Sequence, residues 1–323
     1  MNVSVAIVFA LLLMTAPVAE AQGKLPPETR NAALRYWMAF AEIKDPPSDK
    51  ATQDLLGKTA AGEAAWDETK LAPILDANAG ALAIFQRATK LPDCDWGVEY
   101  REGPRASIAY APRARVIARL NTLQGLRELA KGNSQAAVDA WLAGIRFSRD
   151  LSRGGTLIFN LTAKSALLSD LSVLSKAAQD GKLTNTQKRA INDVVKTLPP
   201  DGFNWYAAWG LESAGIEILV QQLQTDPDPR RLYESMSGDP VSNNPIVISS
   251  DDLAKFQKFA NDVQNALKLP PAQAVAKLET LQVELHSLNP VIERFVPSPL
   301  KVNGARIEID TARRELLRSL TAK

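Results

Sequence analysis

The stretch Gly155 to Asp180, GTLIFNLTAKSALLSDLSVLSKAAQD, constrains the fold most. Between Leu157 and Leu174 it carries two charges, Lys164 and Asp170. Leu157, Leu161, Leu168, Leu171 and Leu174 recur at helical spacing, and Ile158, Phe159, Ala163, Ala166, Leu167 and Val173 fill much of the remaining circumference. A helix that is apolar nearly all round needs neighbours on most of its sides. The expectation is an all-α fold, with antiparallel helical hairpins packed around a central apolar helix at about 155–180.

The rest of the chain supplies those neighbours. Thr29 is placed to cap a first helix ending near Lys44, with Ala33, Tyr36, Trp37, Phe40 and Ala41 as its buried stripe. Ser48 is expected to cap a second, and a third runs from near Leu71, with Pro73 in its first turn, to Ala88. Residues 92–112, rich in Pro, Gly, charge and aromatic rings, form a long loop, a kind of segment that is often functional or packed on itself. Two helices follow, Arg113–Lys131 and Gln135–Leu151, with Gly132 ending the first and Ser134 capping the second. After the central helix, Gly181 is a stop, and Thr184 with Gln187 is a capping box for the next helix. Pro199-Pro200-Asp201-Gly202 is the best boundary signal. It divides a helical-hairpin region, 22–200, from a C-terminal helical region, 201–323, packed on it, with one domain and two both open at this point. Beyond it, helices are expected at Asn204–Gln224, Asp251–Leu267 and Pro271–Ser287, with an extended stretch Asn289–Val302 before a last helix at Gly304–Leu320.

Residues 3–16, VSVAIVFALLLMTA, are a short apolar run followed by Ala19-Glu20-Ala21, a small-x-small cleavage pattern. The run is too short to span a bilayer, which takes about 20 residues, so residues 1–21 read as a secretory signal peptide. Later in the chain, Lys164 and Asp170 argue against a spanning segment. An exported protein could use disulfides, but Cys94 is the one cysteine, so the fold rests on its core. The 38 basic and 36 acidic side chains are too balanced for a nucleic-acid footprint.

Taken together, NAALRYWMAFA, LPDCDWGVEYREGP, LRELAKGNSQAAVDAWLAGIRFSRDLS, AAQDGKLTNTQ and NPVIERFVPSP resemble a family of uncharacterised, exported, mostly helical bacterial proteins. The Ala136-Ala137 pair with Trp141 also resembles tetratricopeptide-like hairpins, without a clean 34-residue repeat. The resemblance implies export and an all-α fold. It carries no catalytic signature.

Candidate chemistry is sparse. His286 is the only histidine, which excludes a His-rich metal site and leaves a His-based triad no choice but His286, read here as a structural residue near a helix end. Arg115 and Arg119 lie four apart on one hairpin helix, with Arg146 and Arg149 on the other. If these faces share a groove, their guanidiniums could clamp a carboxylate or another anion. Trp205 and Trp209 are candidate aromatic walls. Glu212-Ser213 on a helix resembles the Glu-Ser pair of lytic transglycosylases, which use the Glu as a general acid, although the glycine-methionine-glutamine segment of that family is absent. Asp93, Asp95 and Glu99, with Glu102, offer oxygens for Ca²⁺ but match no EF-hand spacing, and Arg101 and Arg105 stand ready to pair with them. The leading expectation is therefore a periplasmic or extracellular binding protein that uses no cofactor. Its partner would be a protein or peptide of the cell envelope, and no nucleic acid is expected. A peptidoglycan-acting hydrolase using Glu212 is the alternative.

Overall fold

A computed structural model describes residues 28–106, 110–238 and 246–321. The proposed signal peptide lies outside the described residues. Among these residues the structure is all-α, with no strand. The helices are α1 (Ala32–Glu42), α2 (Lys50–Ala60), α3 (Glu68–Ala77), α4 (Ala79–Ala88), α5 (Ala111–Ala130), α6 (Ser134–Ser152), α7 (Leu157–Gln179), α8 (Asn185–Lys196), α9 (Trp205–Thr225), α10 (Pro229–Ser237), α11 (Ser250–Leu267), α12 (Pro271–Leu285), α13 (Pro290–Glu293) and α14 (Pro299–Thr321). Residues Asn31–Lys323 form one compact unit, so the turn at Pro199–Gly202 lies inside it.

The apolar stretch forms α7, which packs against α5, α6, α9 and α14. Phe159, Ala163, Leu167, Leu171 and Leu174 are buried, while Ile158 and Leu161 are partly open near its start. Its two charges find different solutions. Lys164 reaches Glu308 of α14 at 2.6 Å, and Asp170 is fully buried with its Oδ1 accepting from the Thr122 hydroxyl at 2.7 Å. By length and composition α7 could cross a membrane, so two charges do not exclude it, contrary to the expectation above. Its neighbours are what mark it as a core helix in this fold.

Local chemistry accounts for the helix ends. The Thr184–Gln187 capping box is formed, and Gly132 and Gly181 end α5 and α7 in the left-handed conformation. Several boundaries differ from the sequence reading. Asn31, Asp49 and Asn133 are the caps, rather than Thr29, Ser48 and Ser134, because they hold the position just before each helix and their side-chain oxygens accept from its first free amides. The expected third helix is two. Asn78 breaks it, accepting from the Lys44 amide at 2.9 Å and donating to the Lys44 and Ile74 carbonyls. The last helix starts at Pro299, inside the stretch expected to be extended, because Ser298 caps it through the Lys301 amide. On α1 the buried stripe is Ala32, Ala33, Tyr36, Ala39 and Phe40, and Trp37 is 41% exposed.

An aromatic core sits beside α7. Trp96 stacks on Tyr36, Phe40 and Tyr110, and Tyr110 stacks on Phe159. Trp96 comes from the 92–112 loop. Its indole N–H donates to the Asp150 carbonyl at 2.8 Å, while Tyr36 donates to Asp150 Oδ2 at 2.9 Å. The loop is thus anchored to the end of α6, and a 3-10 turn, Tyr100–Arg105, carries it onward.

Candidate functional site

Of the four arginines expected to share one groove, two line one cavity, one lines another and the fourth lines neither. α5 packs against α2 and also against α3 and α4, and its own side chains line two separate spaces, one of them shared with α6. Arg115 and Arg119 line a cavity of about 420 Å³ between α2, α5 and α7, together with Thr122, Thr162, Ser165 and Ser169. Being one turn apart, they project from the same face of α5. Arg119 donates to Gln53 Oε1 at 3.0 Å, and Arg115 makes a long contact of 3.5 Å to the Thr162 hydroxyl. Among the described residues neither guanidinium has a carboxylate within ion-pair distance. The hydroxyls of Thr162, Ser165 and Ser169 donate to carbonyls of their own helix. They therefore show oxygen lone pairs to the cavity and would have to rotate to donate to an anion.

Arg146 enters the second cavity, about 460 Å³, between α4 and the α5–α6 pair. Arg149 enters neither. Its Nη2 lies 3.6 Å from Asp150 Oδ1, and Arg153 approaches the same oxygen at 3.7 Å. Burial pushes the Asp150 carboxyl up from the usual range, and the Tyr36 hydrogen bond and these two arginines only partly offset it. Cys94 belongs to the same anchored corner. Its thiol points at the Asp150 carbonyl at 3.7 Å, and burial, aided by Asp150, pushes its pKa up to about 12. Such a thiol is a poor nucleophile.

The aromatic wall expected from Trp205 and Trp209 is not available there. Both rings are 1% exposed, with their N–H groups donating to the carbonyls of Asp201 and Ala260. Trp205 does edge a more apolar cavity of about 480 Å³ formed by the 199–206 turn, the α11–α12 junction and Arg306. Glu212 lines a different cavity, of about 220 Å³, to which neither tryptophan contributes. It reaches from α9 to the start of α7, where its Oε2 accepts from the Leu157 amide at 3.3 Å. A carboxylate there complements the positive end of the α7 dipole. Thr156 occupies the N-cap position, but its hydroxyl is buried without a partner, so Glu212 does the capping from another helix. Burial raises the Glu212 pKa, and the amide hydrogen bond lowers it in part.

Asp93, Asp95 and Glu99 do not converge. Among the described residues no group of three acidic, His or Cys side chains is gathered as a metal would need. Asp95 Oδ1 accepts instead from the Gly97 amide at 2.9 Å, and the Asp95 amide donates to Asn31 Oδ1. His286 is exposed at the end of α12 and hydrogen-bonded to Glu293. Comparison with protein-family models, with curated proteins and with solved structures found no match to this chain.

Two features of these sites could not be read from the sequence. One is the division of the arginines, which depends on where α2 and α4 land. The other is the buried Asp170 beneath Thr122, on the wall of the Arg115–Arg119 cavity.

Proposed function

We propose that this is an exported helical binding protein, akin to the uncharacterised bacterial family it resembles, that holds an anionic group between α2, α5 and α7. The observation that supports this is the pair Arg115 and Arg119. Two guanidiniums open onto one cavity without an acid to neutralise either. Paired guanidiniums suit a carboxylate or phosphate, which they bind through charge-assisted, often bidentate, hydrogen bonds. The occupant is an anionic group of an envelope partner or peptide, and no catalytic step is required.

Calorimetric titration with inorganic phosphate and with succinate tests the site. Saturable binding is expected, weakened at least about tenfold in the double variant Arg115→Gln/Arg119→Gln. Equal affinity in that variant would remove the cavity as the site. Export is tested by N-terminal sequencing of the protein recovered from the cell exterior or periplasm, with Gln22 as the expected first residue. A cytoplasmic chain still beginning at Met1 would refute it.

A further inference from the structure

The second cavity has a different character from the first. Seven arginines among the described residues are half-buried: Arg35, Arg113, Arg119, Arg127, Arg146, Arg149 and Arg313. Of these, Arg146 alone has neither a hydrogen bond nor an ion pair. Its nitrogens keep access to solvent, so the guanidinium is unpaired within the chain and open to a carboxylate from outside. Acids line the same cavity at a distance. Asp139 lies seven residues before Arg146 on α6, hence on nearly the same face and about 10 Å away along the axis. Glu128 belongs to the Asp139 end, because its Oε2 accepts from Asn133, the cap of α6, at 3.1 Å. Each Glu128 oxygen takes one amide donor, which leaves lone pairs for an ammonium. Ala140 and Ala143 line the groove between the two ends.

We propose that this cavity binds a zwitterionic peptide of three residues, its carboxylate on Arg146 and its ammonium between Glu128 and Asp139. The dimensions agree. An extended peptide spans roughly 3.3–3.6 Å per residue, so three residues bridge the two charged ends. The volume of about 460 Å³ lies in the range of small-ligand pockets. A simple anion would satisfy Arg146 but leave the acidic end unused. This site is separate from the Arg115–Arg119 cavity and stands or falls independently of it.

The test is calorimetric titration of the full mature chain with Ala-Ala-Ala, N-acetyl-Ala-Ala-Ala and Ala-Ala-Ala amide. Saturable binding of the free tripeptide is expected, with each blocked peptide about tenfold weaker or more. Arg146→Met should weaken Ala-Ala-Ala by a similar factor. Because Arg146 is half-buried, a second variant, Glu128→Gln/Asp139→Asn, tests the other end with near-isosteric changes. It should erase the preference for the free over the acetylated peptide. Arg115→Gln/Arg119→Gln should leave tripeptide affinity unchanged. The proposal is overturned if no saturable binding is seen, or if the acetylated and free peptides bind alike. It is equally overturned if both cavity variants bind as wild type does, or if the Arg115/Arg119 variant loses the peptide.

Discussion

Asp170 shows how one residue can be misread as a charge. Its neighbours include no cation, and burial holds its carboxyl well above the usual carboxylate range, partly offset by the Thr122 hydroxyl. The folded state therefore holds the proton to higher pH than the unfolded chain does. A carboxyl whose folded pKa is raised contributes fully below the unfolded value near 3.9, and that contribution is lost as pH rises toward the folded pKa. Asp170→Asn keeps an acceptor for Thr122 and removes the titration. The variant should gain on wild type by about 1.4 kcal/mol per pH unit as long as Asp170 is protonated when folded and ionised when unfolded. Urea midpoints at pH 5 and pH 7 measure this. A difference between the two proteins that does not change with pH would show that Asp170 is not held neutral.

At the scale of elements, two glycines set how closely α5, α6 and α7 approach. A Cβ on Gly144 of α6 would lie 1.9 Å from Asp170 Oδ2, and one on Gly125 of α5 would lie 2.2 Å from Trp141 Nε1. Trp141 is fully buried, and its N–H donates to the Thr122 carbonyl at 3.1 Å, so it has little room to yield. Alanine improves helix propensity by about 1 kcal/mol, but overpacking of this kind costs about 1–3 kcal/mol or more. Overpacking should win: Gly144→Ala and Gly125→Ala should each lose about 2 kcal/mol in chemical denaturation. Gly304→Ala on α14, where a Cβ meets nothing within 4 Å, should instead gain up to about 1 kcal/mol. If all three substitutions stabilised, the close contacts would be refuted. These contacts also show what the sequence makes legible. Helix existence, the capping box at Thr184–Gln187 and the buried rod α7 follow from spacing and local chemistry, because their causes lie within a few residues. The break at Asn78 depends on Lys44, and the outward turn of Trp37 depends on Tyr110 beside it. No local pattern holds those partners. The arginine site was legible only as two one-turn spacings, and which cavity each guanidinium enters was settled by helices far away in the chain.

At the scale of the whole molecule, the proline-rich turn that looked like a border is one of its ties. Asp201 sits in that turn, and its Oδ2 accepts from Arg306 Nε of α14 at 2.7 Å. Arg306 is 2% exposed and also donates to Asn303 and to the Leu269 carbonyl, so one guanidinium joins the turn, the α11–α12 junction and the last helix. A buried pair of this kind gives modest net stability when intact, since both charges have left water. Breaking one side is a different matter, because the remaining charge is stranded. Asp201→Ala should therefore cost about 3–5 kcal/mol, whereas Asp201→Leu/Arg306→Met, which removes both charges, should cost less than Asp201→Ala alone. Unfolding followed together by far-UV circular dichroism and by tryptophan fluorescence separates the possibilities. Coincident curves, shifted as one by Asp201→Ala, are expected of a body in which α7 and α14 share a core across that turn. If the fluorescence transition moved alone, with helix loss confined to the segment after Gly202, the turn would be a border between separately folding halves, and Arg306 would fasten only the second of them.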